Sequence, residues 1–330
     1  MPSVCLLGAT GFLGGSVLTD LQKDGSYEIT ALVRPGKEQL VSARGVRVVT
    51  GSFSDLALIE HTSSAHDIVI NAADSDDLPL TRSINRGLAQ ARKNGKKGVL
   101  VHVSGTQLIE SPPTGNLDEG WPVYDDSDLA QIKDIDELAL HREIDLEIAR
   151  ADLSGEIIAS IICPGLIYGL GTGPDKIISA LTPSMMSLAM KRGQVVVAGR
   201  GTNIWPDVHV QDVVDLIMLS LKHNLGTSKP AGFERFYFAE NGEHAKLPYA
   251  RTLASLLSSH HLITTTDILH VPAGDARAPG WANNTTSRCR ATRARKELGW
   301  TPRFKMDEEG LGRDVRDILE VWGKVNRGSE

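Results

Sequence analysis

The sequence predicts an α/β fold: a doubly wound parallel sheet with helices on both faces and a smaller carboxyl-terminal α/β lobe. Three observations predict it. Short apolar β-type runs alternate with helical patterns through the first half of the chain. The first run, Val4-Cys5-Leu6-Leu7, feeds straight into Gly8-Ala9-Thr10-Gly11-Phe12-Leu13-Gly14 and then the amphipathic Ser16 to Leu21. A second strand, Glu28 to Val33, follows and ends at Arg34.

Taken in order, that opening is a dinucleotide cradle. Gly8 allows the tight turn, Gly11 lets backbone approach a pyrophosphate, Gly14 lets the helix lie close on the strand, and the helix amides face the phosphates. Thr10, Phe12 and Leu13 belong to the same turn. An acidic residue at the tip of the second strand would bind the adenosine ribose and repel a 2′-phosphate. Here Arg34 stands there, with Lys37 close behind. A guanidinium forks onto phosphate, so NADP is favoured over NAD.

Further strands are expected at Val46–Thr50, Asp67–Ala73 and Val99–Val103, with helices over about 55–61 and 81–94. Ligands sit beyond the carboxyl ends of such strands, so Gly8 to Leu13, Arg34, Asn71-Ala72-Ala73 and Ser104 to Thr106 should converge on one crevice. Glu110 to Asp128 reads as a loop, and a helix is expected from about Asp134 to Asp152 with Ile135, Leu138, Ala139, Arg142, Leu146 and Ala149 on one face. A sixth strand, Ile157 to Cys163, is broken by Pro164-Gly165 and continues to Tyr168-Gly169. A helix bearing Met185, Met186 and Met190 follows, its methionines read as core fillers. The late elements are a helix ending near Lys222, a strand over Phe233–Ala239 and two more helices. The expected domains are a Rossmann domain over 1–165 with 203–240, and a substrate lobe over 166–202 with 241–330.

Composition narrows the function classes. The chain is 41% hydrophobic and 23% charged, enough for a large core, and a net charge of -6 argues against a nucleic-acid partner. The one basic run, Arg288 to Lys296, reads as the solvated face of a helix. Cys5, Cys163 and Cys289 read as reduced packing residues, and His260, His261 and His270 lack metal-site spacing, so no metal is expected. No leader or long apolar span is evident; the expectation is a cytoplasmic protein with a small-molecule substrate and no membrane partner.

Several segments together resemble the extended branch of the short-chain dehydrogenase/reductase superfamily, which holds epimerases, dehydratases and dihydroflavonol-reductase-like enzymes. They are Gly8 to Gly14, Asn71-Ala72-Ala73, Val101-His102-Val103-Ser104, Pro164-Gly165-Leu166-Ile167-Tyr168-Gly169, Val208 to Val213, and Leu298-Gly299-Trp300-Thr301-Pro302. The resemblance implies a hydride-transfer or epimerase-type site between two lobes, with Pro164 and Tyr168 at the cofactor pocket, and a homodimer built on the 134–152 helix. It also implies a substrate-binding hydroxyl at the end of the fifth strand, for which Thr106 is preferred and Ser104 is the alternative. An aspartate that the family often places against the adenine is replaced by Ser52-Phe53, a hydroxyl and a stacking wall.

The family's proton transfer rests on a tyrosine and a lysine four residues later, and the 134–152 segment has neither. Its nearest counterparts are Leu138 and Arg142, or Glu137 and His141. Leucine moves no proton and arginine is too basic to relay one; His141 titrates in the right range, and Tyr124 and Tyr168 are two further phenols. Asp74, Asp76 and Asp77 read as solvated loop acids. The leading expectation is an NADP-dependent oxidoreductase-like protein acting on a small carbonyl or alcohol at an altered proton-transfer site. A non-catalytic dinucleotide sensor of the NmrA-like kind and a non-redox isomerase or lyase are the alternatives.

Overall fold

The computed structural model of the chain describes residues 1–275 and 284–327. Seven parallel strands make the central sheet: β1 (Ser3–Leu7), β2 (Glu28–Val33), β3 (Arg47–Thr50), β4 (Ile68–Asn71), β5 (Val99–Val103), β7 (Ile158–Pro164) and β11 (Phe236–Ala239). They lie in the order β11-β7-β5-β4-β1-β2-β3, so the strand order reverses beside β1 and β4. Helices α1 (Phe12–Asp24), α2 (Glu38–Ser42), α3 (Leu56–Ser64) and α4 (Leu78–Lys93) connect the first five strands. Parallel strands covered on both faces need continuous apolar runs. Val4 to Leu7, Ile68 to Ile70 and Ile157 to Cys163 are such runs, each residue buried except that Ser160 adds a hydroxyl. That hydroxyl is satisfied by Ser220 and Asn224.

The strand expected to continue past Pro164-Gly165 does so in a different sheet. β8 (Leu166–Tyr168) pairs in parallel with β10 (Ile204–His209), which also pairs antiparallel with β12 (Glu243–Ala245). The remaining strands are short: β6 (Tyr124–Asp125) with β14 (Cys289–Arg290), and β9 (Val195–Ala198) with β13 (Ile268–Val271). A second hydrophobic cluster, separate from the sheet's own, gathers residues from α7 (Leu181–Arg192), α9 (Lys246–Ser259) and α11 (Glu308–Arg327). Met185 and Met186 are in it; Met190 is not a core filler but 39% exposed. Cys289 and Trp300 join the first cluster. Of the carboxyl-terminal lobe expected over 241–330, residues 276–283 and 328–330 lie outside the described residues.

Helix α8 (Val210–Leu225) explains why its motif and the Trp300 motif occur together. Trp300 Nε1 donates to the Asp212 carbonyl at 2.8 Å, and the Asp212 carboxylate accepts the amides of Arg303 and Phe304. The basic run corrects the expectation of a solvated face. Arg288 and Arg290 pair with Glu243, Arg295 pairs with Glu240, and Arg293 is buried at the start of α10 (Thr292–Leu298). All three cysteines are buried and free. Among the described residues no helix is long and apolar enough to cross a membrane.

The largest departure is the helix expected from Asp134 to Asp152. α5 (Leu129–Lys133) stops early, residues 134–141 form turns, and α6 (Arg142–Leu153) begins anew. The Asp136 carboxylate accepts the Leu138 amide at 2.9 Å while its carbonyl accepts the Ala139 amide, a local turn that competes with helix. Leu138 is therefore 93% exposed, and neither of the pairs expected from one-turn spacing, Leu138 with Arg142 or Glu137 with His141, shares a helix face.

Candidate active site

The phosphate cradle is built from backbone. Gly8 has φ +92, a region that side chains avoid, and a Cβ on it would stand 2.5 Å from the Ala72 carbonyl oxygen. A Cβ on Gly14 would stand 2.3 Å from the Gly8 oxygen. The Gly11 amide closes the turn onto that same oxygen at 2.7 Å, and Gly11 is the N-cap of α1, whose first turn carries no acidic residue. The amide end of a helix whose first turn carries no acidic residue suits a diphosphate. Segment 171–176 lies along α1. The Thr172 amide donates to Ser16 Oγ, and the Lys176 amide reaches the Thr10 carbonyl.

Arg34 is exposed at the end of β2 and has no partner among the described residues. Lys37 does not stand free beside it: its ammonium sits 2.8 Å from Asp175, tying this loop to the 171–176 segment. Next to the β2 end, Ser52 is exposed with its hydroxyl on Ser54, while Phe53 packs partly against the core. Asn71 points inward. Its amide donates to the Asp74 carbonyl and lies 3.2 Å from His102 Nδ1, and its oxygen accepts the Ala73 amide. It shapes the Ala72-Ala73 turn against Gly8 rather than reaching into the crevice. Tyr168 is buried edge-on to His209 and is not part of the cavity wall.

Beyond the carboxyl ends of β5 and β7 opens a cavity of about 430 Å³, lined by Phe12, Ser104, Thr106, His141 and Pro164 among others. Five of the sequence-predicted site residues therefore meet at this cavity. Ser104 Oγ donates to Asp145 Oδ2 at 3.1 Å. Thr106 Oγ1 is buried with no partner among the described residues. His141 is the N-cap of α6 at φ 70, a strained conformation for a residue with a side chain, of order 1–3 kcal/mol. Its Nδ1 lies 2.7 Å from Asp76 Oδ1, and its Nε2 lies 3.1 Å from where a Cβ on Gly105 would be. The ring thus lies against the Ser104-Gly105-Thr106 segment. Arg142 does not line the cavity: it is 1% exposed, donates to the Lys133 carbonyl and stacks on Phe233 at 4.6 Å.

Two residues that contact the candidate site's side chains were not expected from the sequence, Asp76 and Asp145. Asp76 is no idle loop acid, and its neighbours are also committed, Asp74 accepting the Asp76 amide and Asp77 capping α4. Asp145 lies four residues after His141, at the expected one-turn spacing but about one turn further along the chain. Its carboxyl is fully buried, which pushes it up to about 7 against the pull of the Ser104 hydroxyl and Arg142. Burial likewise brings His102 down to about 3, so that ring is neutral.

The Asp145 shift has a stability consequence. Its folded pKa lies above the unfolded value, so the native state holds the proton more tightly and loses stability as pH rises from about 4 to about 7. Asp145→Asn removes that loss. Its urea-unfolding free energy relative to wild type is expected to rise by a few kcal/mol at most between pH 4 and pH 8; an unchanged difference contradicts the assignment.

Residues 8–134 match a family model described as NAD(P)H-binding. The chain is 27% identical over 320 residues to the oxidase ucsJ of Acremonium sp, covering 89% of this chain and 91% of that protein. Its fold matches that of a dTDP-glucose 4,6-dehydratase from Streptomyces venezuelae with NAD and TYD bound. There the TM-score is 0.70 at 19% identity, over 99% of this chain and 98% of the other. It also matches a UDP-glucose 4-epimerase with UDP-glucose from Thermotoga maritima, at TM-score 0.68 and 15% identity, over 97% and 99% of the two chains.

Proposed function

We propose that this chain, whose residues 8–134 match an NAD(P)H-binding family model and whose fold matches those of a dehydratase and an epimerase, is an NADP-dependent oxidoreductase acting on a small carbonyl or alcohol. In this reading His141 replaces the family's tyrosine. The observation that carries it is the imidazole itself: held at Nδ1 by Asp76, it lies in the cavity wall beside the unpartnered Thr106 hydroxyl. The amino-terminal cradle would hold the diphosphate, and a bound nicotinamide supplies or accepts the hydride.

The protein's own residues supply the proton. With Nδ1–H donating to Asp76, neutral His141 presents Nε2 as an acceptor for an alcohol proton; doubly protonated, it donates from Nε2 to a carbonyl oxygen. Asp76 orients the ring through Nδ1 and is 48% exposed, which gives the proton a route to solvent. Thr106 donates to the same substrate oxygen. Ser104 is oriented by Asp145 and completes that wall. In the domain division proposed with this reading, residues 1–165 and 203–240 bind dinucleotide, and 166–202 with 241–330 form the substrate lobe. The two hydrophobic clusters support that division, although Cys289 and Trp300 add to the first.

NADPH consumption followed at 340 nm against a panel of neutral carbonyls tests the reading; binding of NADPH without consumption of any of them would turn it into a sensor. The NADP preference rests on Arg34. Arg34→Asp is expected to weaken NADPH at least tenfold, about 1.4 kcal/mol or more, and NADH far less, by tryptophan quenching. Equal losses would remove the preference.

A further inference from the structure

We propose that the substrate of this site is an uncharged, mostly apolar alcohol or carbonyl compound of one or two rings, and not a nucleotide sugar. The inference rests on the oxidoreductase reading above and deepens it. Among the described residues that line the cavity there is no Lys, Arg, Asp or Glu, and His141 is its one titratable side chain. A nucleoside diphosphate carries two phosphate charges into whatever site it occupies. Taking them from water without cations costs several kcal/mol per ion, which is why phosphates are met by arginine forks, lysines or helix amino termini.

Among the described residues, several cations around the site are committed elsewhere. Lys37 is spent on Asp175, Arg142 faces Phe233 and the Lys133 carbonyl, and Arg288 and Arg290 are spent on Glu243. The lining is instead largely apolar, with Leu166, Ile167, Ala180, Leu181 and Trp205 among its residues. The polar side chains of the lining are Ser75, Ser104, Thr106, Gln107, Ser184 and His141: hydroxyls, one amide and one imidazole. A ligand complementary to this cavity is therefore neutral and mostly apolar, with an oxygen function that these hydroxyls, amide and imidazole can meet. Size agrees: about 430 Å³ is at the small end of ligand cavities. Burying an apolar ring there is favourable by roughly 25 cal/mol per Å² of apolar surface, with no charge to desolvate.

The test uses the full chain. NADPH or NADP is first titrated by tryptophan quenching; absence of dinucleotide binding overturns the oxidoreductase reading and, with it, this inference. On the dinucleotide-loaded protein, cyclohexanone, acetophenone and 2-acetylnaphthalene are compared with UDP and UDP-glucose by calorimetry. At least one neutral ketone is expected to bind tenfold or more tighter than either nucleotide. UDP or UDP-glucose binding as tightly as the best ketone overturns the proposal while leaving the dinucleotide reading intact. Leu181→Gln, at a half-buried wall position, is expected to weaken that ketone at least threefold. An unchanged ketone affinity would likewise overturn it by showing that the ligand binds elsewhere.

Discussion

His141→Ala is expected to lower kcat by about a hundredfold to ten-thousandfold while changing NADPH affinity less than threefold. The reason is placement. The imidazole touches the Gly105 backbone of the β5 terminus, not the amino-terminal glycine turn, so its loss removes a proton carrier and leaves the phosphate cradle standing. Asp76→Asn should act in the same direction but more weakly, about tenfold or more, because the ring can keep a hydrogen bond at Nδ1 yet loses its carboxylate partner. The two substitutions should also be non-additive: in the double variant the Asp76 effect should vanish, since it acts only through the ring. Initial rates with the best carbonyl of the panel, measured over pH 5 to 9, decide this. Rates within threefold of wild type for His141→Ala would end its role as proton carrier. Relaxing the backbone at φ 70 by His141→Gly gives a control, because it should be at least as stable as His141→Ala and equally inactive.

The dinucleotide half of the molecule was legible because its signals are local. Gly8, Gly11 and Gly14 are each required by a backbone approach within a few residues, and strands such as Val4–Leu7 announce their burial by composition. The catalytic end was legible only in part. Thr106, Ser104 and His141 were reached from strand ends and titration range, and the cavity gathers them. What defeated the rest was a helix start. Helical periodicity across Asp134 to Asp152 looks continuous, yet the Asp136 side chain takes the Leu138 amide and ends the regular pattern. With the helix restarting at Arg142, the one-turn pair becomes His141 with Asp145, and Arg142 turns into the core. Asp76 could not be read at all from its neighbours. Three loop acids in four residues look solvated until a histidine 65 positions away is folded against one of them.

Glycine substitutions in the first turn should separate the fold from the cofactor site. Gly14→Ala is expected to destabilise the protein by about 1–3 kcal/mol and to abolish measurable NADPH binding, because its methyl would lie 2.3 Å from the Gly8 oxygen and force α1 away from β1. Gly8→Ala should behave alike, since its methyl meets the Ala72 oxygen at 2.5 Å and φ +92 strains any side chain. Gly11→Ala differs in kind. Its φ of -81 suits alanine and its methyl would keep 3.1 Å from the Gly8 oxygen, so the fold should lose no more than about 1 kcal/mol. Yet that methyl would crowd the position in front of the α1 amides, and NADPH affinity should fall at least tenfold. Urea midpoints and NADPH titrations on the three variants decide the matter. Stability and affinity falling together for Gly14→Ala and Gly8→Ala, but affinity alone for Gly11→Ala, is the pattern of a cradle that holds a diphosphate. Wild-type NADPH affinity in a folded Gly11→Ala protein would place the dinucleotide elsewhere.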